Sequence, residues 1–203
     1  MNEGYIESLE SLRALYSTPN ERAVRKQLSK LDRHCRHFIE LSPFVVIATG
    51  GSEGLDASPR GGPPGFVRVV DESTLWIPDS PGNNRLDSLA NLVTNGRIGL
   101  LFLIPGVDES LRVNGNARVS VDEGKLRSMA TEKRTPKLLI EVSVREAYLH
   151  CAKALMRSKL WLPDTRVERT VLPTIGEMLA EQLGSTAPPE PQAEMLARYE
   201  KEL

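Results

Sequence analysis

The run Phe44-Val45-Val46-Ile47-Ala48-Thr49-Gly50-Gly51 is where the chain changes character. It is short, apolar and rich in β-branched residues, with Pro43 before it and a glycine pair at its end, so it reads as a buried strand. Upstream the texture is helical. Ile6, Leu9, Leu12 and Leu15 recur at helical spacing, as do Val24, Leu28 and Leu31, and Pro19 separates the two stretches. Asp32 is placed to cap a third helix that ends near Ser42-Pro43.

Downstream, six more strand candidates follow at residues 55–58, 66–70, 75–77, 98–103, 111–121 and 138–144, most of them separated by Gly, Pro or Asp-Glu-Ser punctuation. Helical stretches at 84–94 and 122–129 interrupt the series too irregularly for a parallel βαβ sheet. The expected fold is therefore mainly β with peripheral helices (α+β), an antiparallel barrel or sandwich. A helix is expected from His150 to Leu160, then a proline-punctuated tail with helices at 175–183 and 193–203. This divides the chain into an N-terminal helical segment packed on the barrel (1–42), the barrel itself (43–161) and the tail (162–203).

The 203 residues suit one globular domain. With 26 Lys+Arg against 27 Asp+Glu the chain has no basic field to hold a polyphosphate backbone, so nucleic-acid binding is not expected and any anion must be held locally. No apolar run approaches the ~20 residues that span a bilayer. Met1-Asn2-Glu3-Gly4 lacks the basic-then-apolar pattern of a signal peptide, so a cytoplasmic protein without membrane attachment is expected. Cys35 and Cys151 are far apart and outside any Cys-x-x-Cys pair, which argues against a disulfide framework or a thiolate zinc site.

Gly50-Gly51-Ser52-Glu53-Gly54 matches the Gly-x-Ser-x-Gly nucleophile elbow of hydrolases, but strand-like residues and Pro59 follow where an elbow needs a helix, so it reads as a hairpin tip. His34 and His37 could face one ion at i, i+3; without a third ligand they read as a surface helix face, and no metal is expected. His150 and Cys151 are adjacent and point apart. Asn114-Gly115 supports two readings: a tight hairpin, or one long strand with a glycine bulge.

The Pro/Gly-rich stretch from Asp56 to Phe66 reads as a shaped loop. A second such stretch runs from Trp76 to Asp87, where a strand ends, turns and starts a helix with Asn83 or Asn84 as the natural N-cap. The amides at that helix start, with Arg85 and Arg60 nearby, make a local phosphate site. The simpler alternative is a capped helix with Arg85 paired to Asp87 or Asp79. Lys153 and Arg157 fall at i, i+4, with Trp161 four residues further, either as a solvated basic face or as a face for an anion and an aromatic ring.

Taken together, Asp56-Ala57-Ser58-Pro59-Arg60-Gly61, Ile77-Pro78-Asp79 with Asn83-Asn84-Arg85-Leu86, Arg112-Val113-Asn114-Gly115 and His150-Cys151-Ala152-Lys153-Ala154 resemble the pyridoxamine 5′-phosphate oxidase-related FMN-binding proteins. The resemblance extends over about residues 30 to 162, and is closest to a bacterial subgroup with the Ser-Pro-Arg-Gly and His-Cys-Ala-Lys-Ala signatures. It implies a split β-barrel, a homodimer with FMN bound across the subunit interface, and oxidoreductase chemistry with a small-molecule substrate or an electron donor such as NAD(P)H. A non-catalytic flavin carrier or sensor on the same fold is the alternative. It further implies cofactor contacts from Ser58, Pro59 and Arg60, from Ile77, Pro78 and Asp79, and from Asn83, Asn84 and Arg85. Arg112 and Asn114 would come from the other subunit, which favours one bulged strand, and Lys153, Arg157 and Trp161 would close the site. The tail lacks the Arg/His segment with which the oxidases proper bind substrate phosphate, so the vitamin B6 substrate does not carry over.

Overall fold

The computed structural model describes residues 4–52 and 54–202. Met1-Asn2-Glu3, Glu53 of the Gly-x-Ser-x-Gly stretch and Leu203 lie outside them. Seven strands form one sheet: β1 (Phe44–Gly51), β2 (Gly54–Gly61), β3 (Arg68–Val69), β4 (Thr74–Pro78), β5 (Arg97–Leu103), β6 (Ser110–Ser120) and β7 (Leu139–His150). Their order is β2-β1-β5-β6-β7-β4-β3, with every neighbouring pair antiparallel. This is the mainly β, α+β split-barrel architecture expected from the sequence.

Alternation along the strands builds the core. Val45 and Ile47 of β1, Leu100 and Phe102 of β5, Leu111 and Val113 of β6, and Leu75 and Ile77 of β4 all face inward and are buried. Two helices close it: α3 (Arg33–Leu41) buries Cys35 and Ile39, and α4 (Asp87–Asn95) buries Leu89 and Leu92. Asp32 caps α3 as expected, accepting from the Cys35 amide at 2.8 Å. Burial pushes the Cys35 thiol up to about 11, so it behaves as a small core hydrophobe.

The Asn114-Gly115 pair lies within the single strand β6, whose register against β7 shifts between those two residues. A Cβ on Gly115 would stand 2.2 Å from the Ser143 carbonyl oxygen, so only glycine admits this bulge. Three expectations are corrected. Asp56 to Gly61 is not loop but the greater part of β2, because an edge strand tolerates Pro59. β7 continues past Val144 to His150, so the expected helix shrinks to α6 (Lys153–Ser158). The strand expected at 66–70 shrinks to the two residues of β3.

The remaining helices are α1 (Leu9–Ala14) and α2 (Glu21–Arg25), which bury no residue, α5 (Glu123–Ser128), α7 (Ile175–Leu183) and α8 (Gln192–Glu200). Glu141 of β7 ties α5 to the sheet, accepting from Lys125 and, at 3.0 Å, from the Trp76 indole, with Arg118 3.4 Å away.

Candidate functional site

On β2, Asp56, Ser58 and Arg60 share one half-buried face, while Leu55, Ala57 and Pro59 face solvent. That face meets the first turn of α4. The Ser58 hydroxyl donates to Asp56 Oδ1 at 2.9 Å, the Ser88 hydroxyl donates to Asp56 Oδ2 at 2.5 Å, and Arg60 Nη2 donates to Ser88 Oγ at 3.4 Å. Further along α4, Asn91 donates to Thr49 Oγ1 at 3.1 Å, and Asn95 donates to the Gly50 carbonyl. Gly51 lets the Asn91 side chain lie close, since a Cβ there would stand 2.3 Å from Asn91 Oδ1 and displace it. The start of α4 is thus held against β2 through Ser88, and its later turns against β1 through Asn91 and Asn95.

The segment that enters α4 has unusual backbone. Asn84 (φ 58°) and Leu86 (φ 62°) both adopt the left-handed conformation, which for a bulky residue such as Leu86 is strained. This corrects the expected N-cap: Leu86 takes that position without a side-chain cap, while Asn83 Oδ1 instead accepts from the Arg85 amide at 3.0 Å. Among the described residues, no side chain caps the first amides of α4. Arg85 Nε pairs with Asp87 Oδ2 at 2.8 Å, the simpler of the pairings expected, and this bond raises the Arg85 pKa, with Asp56 adding to the effect. Two guanidinium groups and two carboxylates, Arg60, Arg85, Asp56 and Asp87, thus gather at one helix start.

The other predicted contacts are placed less uniformly. Ile77 is buried in the core, so only its backbone and the half-buried Pro78 are available along β4. The Asp79 amide donates to the Leu138 carbonyl at 3.0 Å. Arg112 and Asn114 lie on the outer face of β6, where Arg112 stacks on Tyr148 with its Cζ 4.3 Å from the ring centroid, and Asn114 donates to Glu146 at 2.6 Å. In the register Pro59–Val46–Leu101–Arg112, β2 and β6 are separated by β1 and β5, which puts them roughly 14 Å apart across the sheet. Arg112 also faces the opposite side from Arg60, whose partner across the ladder is the core residue Val45. One copy of the chain does not bring these two arginines together.

Lys153 and Arg157 are exposed on α6 and make no hydrogen bond or ion pair among the described residues. Lys159 ends that helix in the left-handed conformation, so Trp161 leaves the Lys153/Arg157 row and instead donates its indole N–H to the Val107 carbonyl at 2.9 Å. Beside α6, burial lowers the His150 pKa, helped by the charges of Arg112 and Lys26. Ser88, Glu146 and Tyr148 escaped the sequence reading. Glu146 and Tyr148 lie in the part of β7 beyond the expected strand 138–144, and the period-2 pattern Asp56-x-Ser58-x-Arg60 is the signal for a shared strand face.

A family model described as pyridoxamine 5′-phosphate oxidase matches residues 31–151, well over half of the chain. No curated protein matches in sequence. Among solved structures, a variant of HupZ from Group A Streptococcus is similar over 59% of this chain and 98% of its own, at 16% identity and a TM-score of 0.50. A FAD binding protein from Mycobacterium smegmatis aligns over 61% of this chain and 97% of its own, at 16% identity and a TM-score of 0.44. No helix among the described residues is long and apolar enough to cross a membrane.

Proposed function

The chain belongs to the pyridoxamine 5′-phosphate oxidase family, and from that premise we propose that it is a flavoprotein that holds FMN at a homodimer interface. The observation that carries the reading is the paired cluster of Arg60 and Arg85 at the uncapped start of α4. A phosphate monoester suits these donors. Backbone amides supply directional hydrogen bonds, the guanidinium groups supply charge, and the helix dipole favours an anion at this end. The strained backbone at Asn84 and Leu86 is consistent with a segment shaped for a ligand.

A second copy supplies what one copy lacks. The outer face of β1 and β5 presents the half-buried Phe44, Val46, Leu101 and Leu103 as a self-complementary apolar surface, flanked by Arg112 and Asn114. Docking on that face sets Arg112 and Asn114 of one copy against the outer face of β1 and β5 of the other, next to the edge strand β2 that carries Arg60. Ser58, Pro59, Pro78 and Asp79 then line the site beside the phosphate cluster. Asn83 and Asn84 shape its entry, while Lys153, Arg157 and Trp161 border it. FMN, when bound, supplies reversible two-electron transfer. The chain's own groups bind and orient it, and the aliphatic and proline side chains exclude water. The reading makes the protein a cytoplasmic oxidoreductase with NAD(P)H as a candidate electron donor.

Titration of the purified protein with FMN, followed by flavin absorbance and fluorescence and paired with sedimentation, tests this. Saturable binding by a dimer is the expected result, and Arg60→Ala should weaken it by about 1.5–3 kcal/mol, the range for a hydrogen bond to a charged group. A monomer that takes up no flavin would overturn the reading. Anaerobic reduction of the bound flavin by NADH or NADPH separates an oxidoreductase from a non-catalytic carrier.

A further inference from the structure

Resting on that reading of the site, we infer that Asp87 is a built-in competitor for the phosphate, a carboxylate that occupies Arg85 until the ligand's phosphate displaces it. Asp87 is the first residue of α4 and its Oδ2 stands 2.8 Å from Arg85 Nε, with 71% of the arginine side chain and 46% of the aspartate side chain exposed. Both partners therefore remain open to exchange. Asp56 adds a second carboxylate, bonded to Ser58 and Ser88 and close enough to favour the charged form of Arg85.

The four groups thus sum to zero formal charge before any ligand arrives. A cluster that is already neutral is a poor receptor for a dianion unless one carboxylate yields its partner. Asp56 cannot yield easily, because it is fastened by hydrogen bonds from two hydroxyls, one of them on the buried Ser88. Among the described residues Asp87 has only the exposed pair, and such surface pairs are weak enough to be exchanged for a phosphate that also accepts from the helix amides. Arg85 then changes partner without leaving the site, and Asp87 sets how readily it does so. The consequence is selectivity: the exchange touches only the phosphate, so Asp87 tunes binding of FMN and leaves binding of a flavin without phosphate alone.

The experiment is a parallel titration of the full-length wild type, Asp87→Asn and Asp87→Glu with FMN and with riboflavin, read by flavin fluorescence. Asp87→Asn should tighten FMN binding by about three- to tenfold, the scale of one exposed ion pair plus one solvent-screened repulsion, with riboflavin unchanged. Asp87→Glu, which keeps the carboxylate, should leave the FMN-to-riboflavin ratio near that of the wild type. FMN binding with the same ratio in wild type and Asp87→Asn, or weaker FMN binding in Asp87→Asn, would overturn the competitor role alone. Absence of flavin binding in all three proteins would overturn the FMN reading together with it.

Discussion

The hydroxyl of Ser88, in the first turn of α4, donates to Asp56 Oδ2 on β2 at 2.5 Å while accepting from Arg60 at 3.4 Å. One buried side chain therefore joins the edge strand to the helix start and orients both charged groups of that strand. Ser88→Ala removes the bridge and leaves the Asp56 carboxylate with one partner fewer in a half-buried place. The expected loss is about 1–2 kcal/mol of folding stability by urea denaturation, with weaker FMN binding because Arg60 is no longer oriented.

Leu86 carries a left-handed backbone (φ 62°) and is 57% exposed as a residue, so it contributes strain and little burial. Leu86→Gly relieves about 1–2 kcal/mol of backbone strain and costs about 0.5–1 kcal/mol of extra chain entropy. A net gain of about 0.5–1 kcal/mol, seen as a higher denaturation midpoint, is expected. A lower midpoint would show that Leu86 packs in a way that offsets the strain.

Gly115 sits at the bulge with room for a hydrogen and nothing larger, since a Cβ would meet the Ser143 carbonyl at 2.2 Å. Gly115→Ala must either flatten the bulge or push β7 away from β6. A loss of about 3 kcal/mol is expected by thermal or chemical denaturation, the upper part of the range for overpacking.

Glu141 accepts from Lys125 and Trp76, and these bonds hold its carboxyl below the ordinary value of 4.5, with Lys125 contributing most. A carboxyl depressed in the folded state stabilises the fold above its unfolded pKa, and this contribution is lost as pH falls through the folded value. Wild-type stability should therefore decline as pH drops below about 4.5. Glu141→Gln should be less stable at neutral pH and should lose part of that acid dependence, which parallel urea titrations at neutral and acid pH would measure.

Much of the molecule was legible along the chain because it rests on local physics. The apolar, β-branched run of Phe44–Gly51, the Asp32 cap and the 175–183 helix all depend on neighbours a few residues away. Arg60 and Arg85 stand out as candidates for the same reason, each lying in a recognisable short motif. Pairing could not be read there. That Asp56 meets Ser88 depends on α4 crossing the edge strand, 32 residues on, and that β7 runs to His150 depends on the β6 ladder beside it, which holds extended a stretch with a helical pattern. The positive-φ residues before α4 were equally hidden, because Leu has no intrinsic preference for that conformation and only the surrounding packing imposes it. Sequence thus decided which residue types and which local elements the chain has. Tertiary contacts decided which charges face each other, since Coulomb and hydrogen-bond energies act across space and not along the chain.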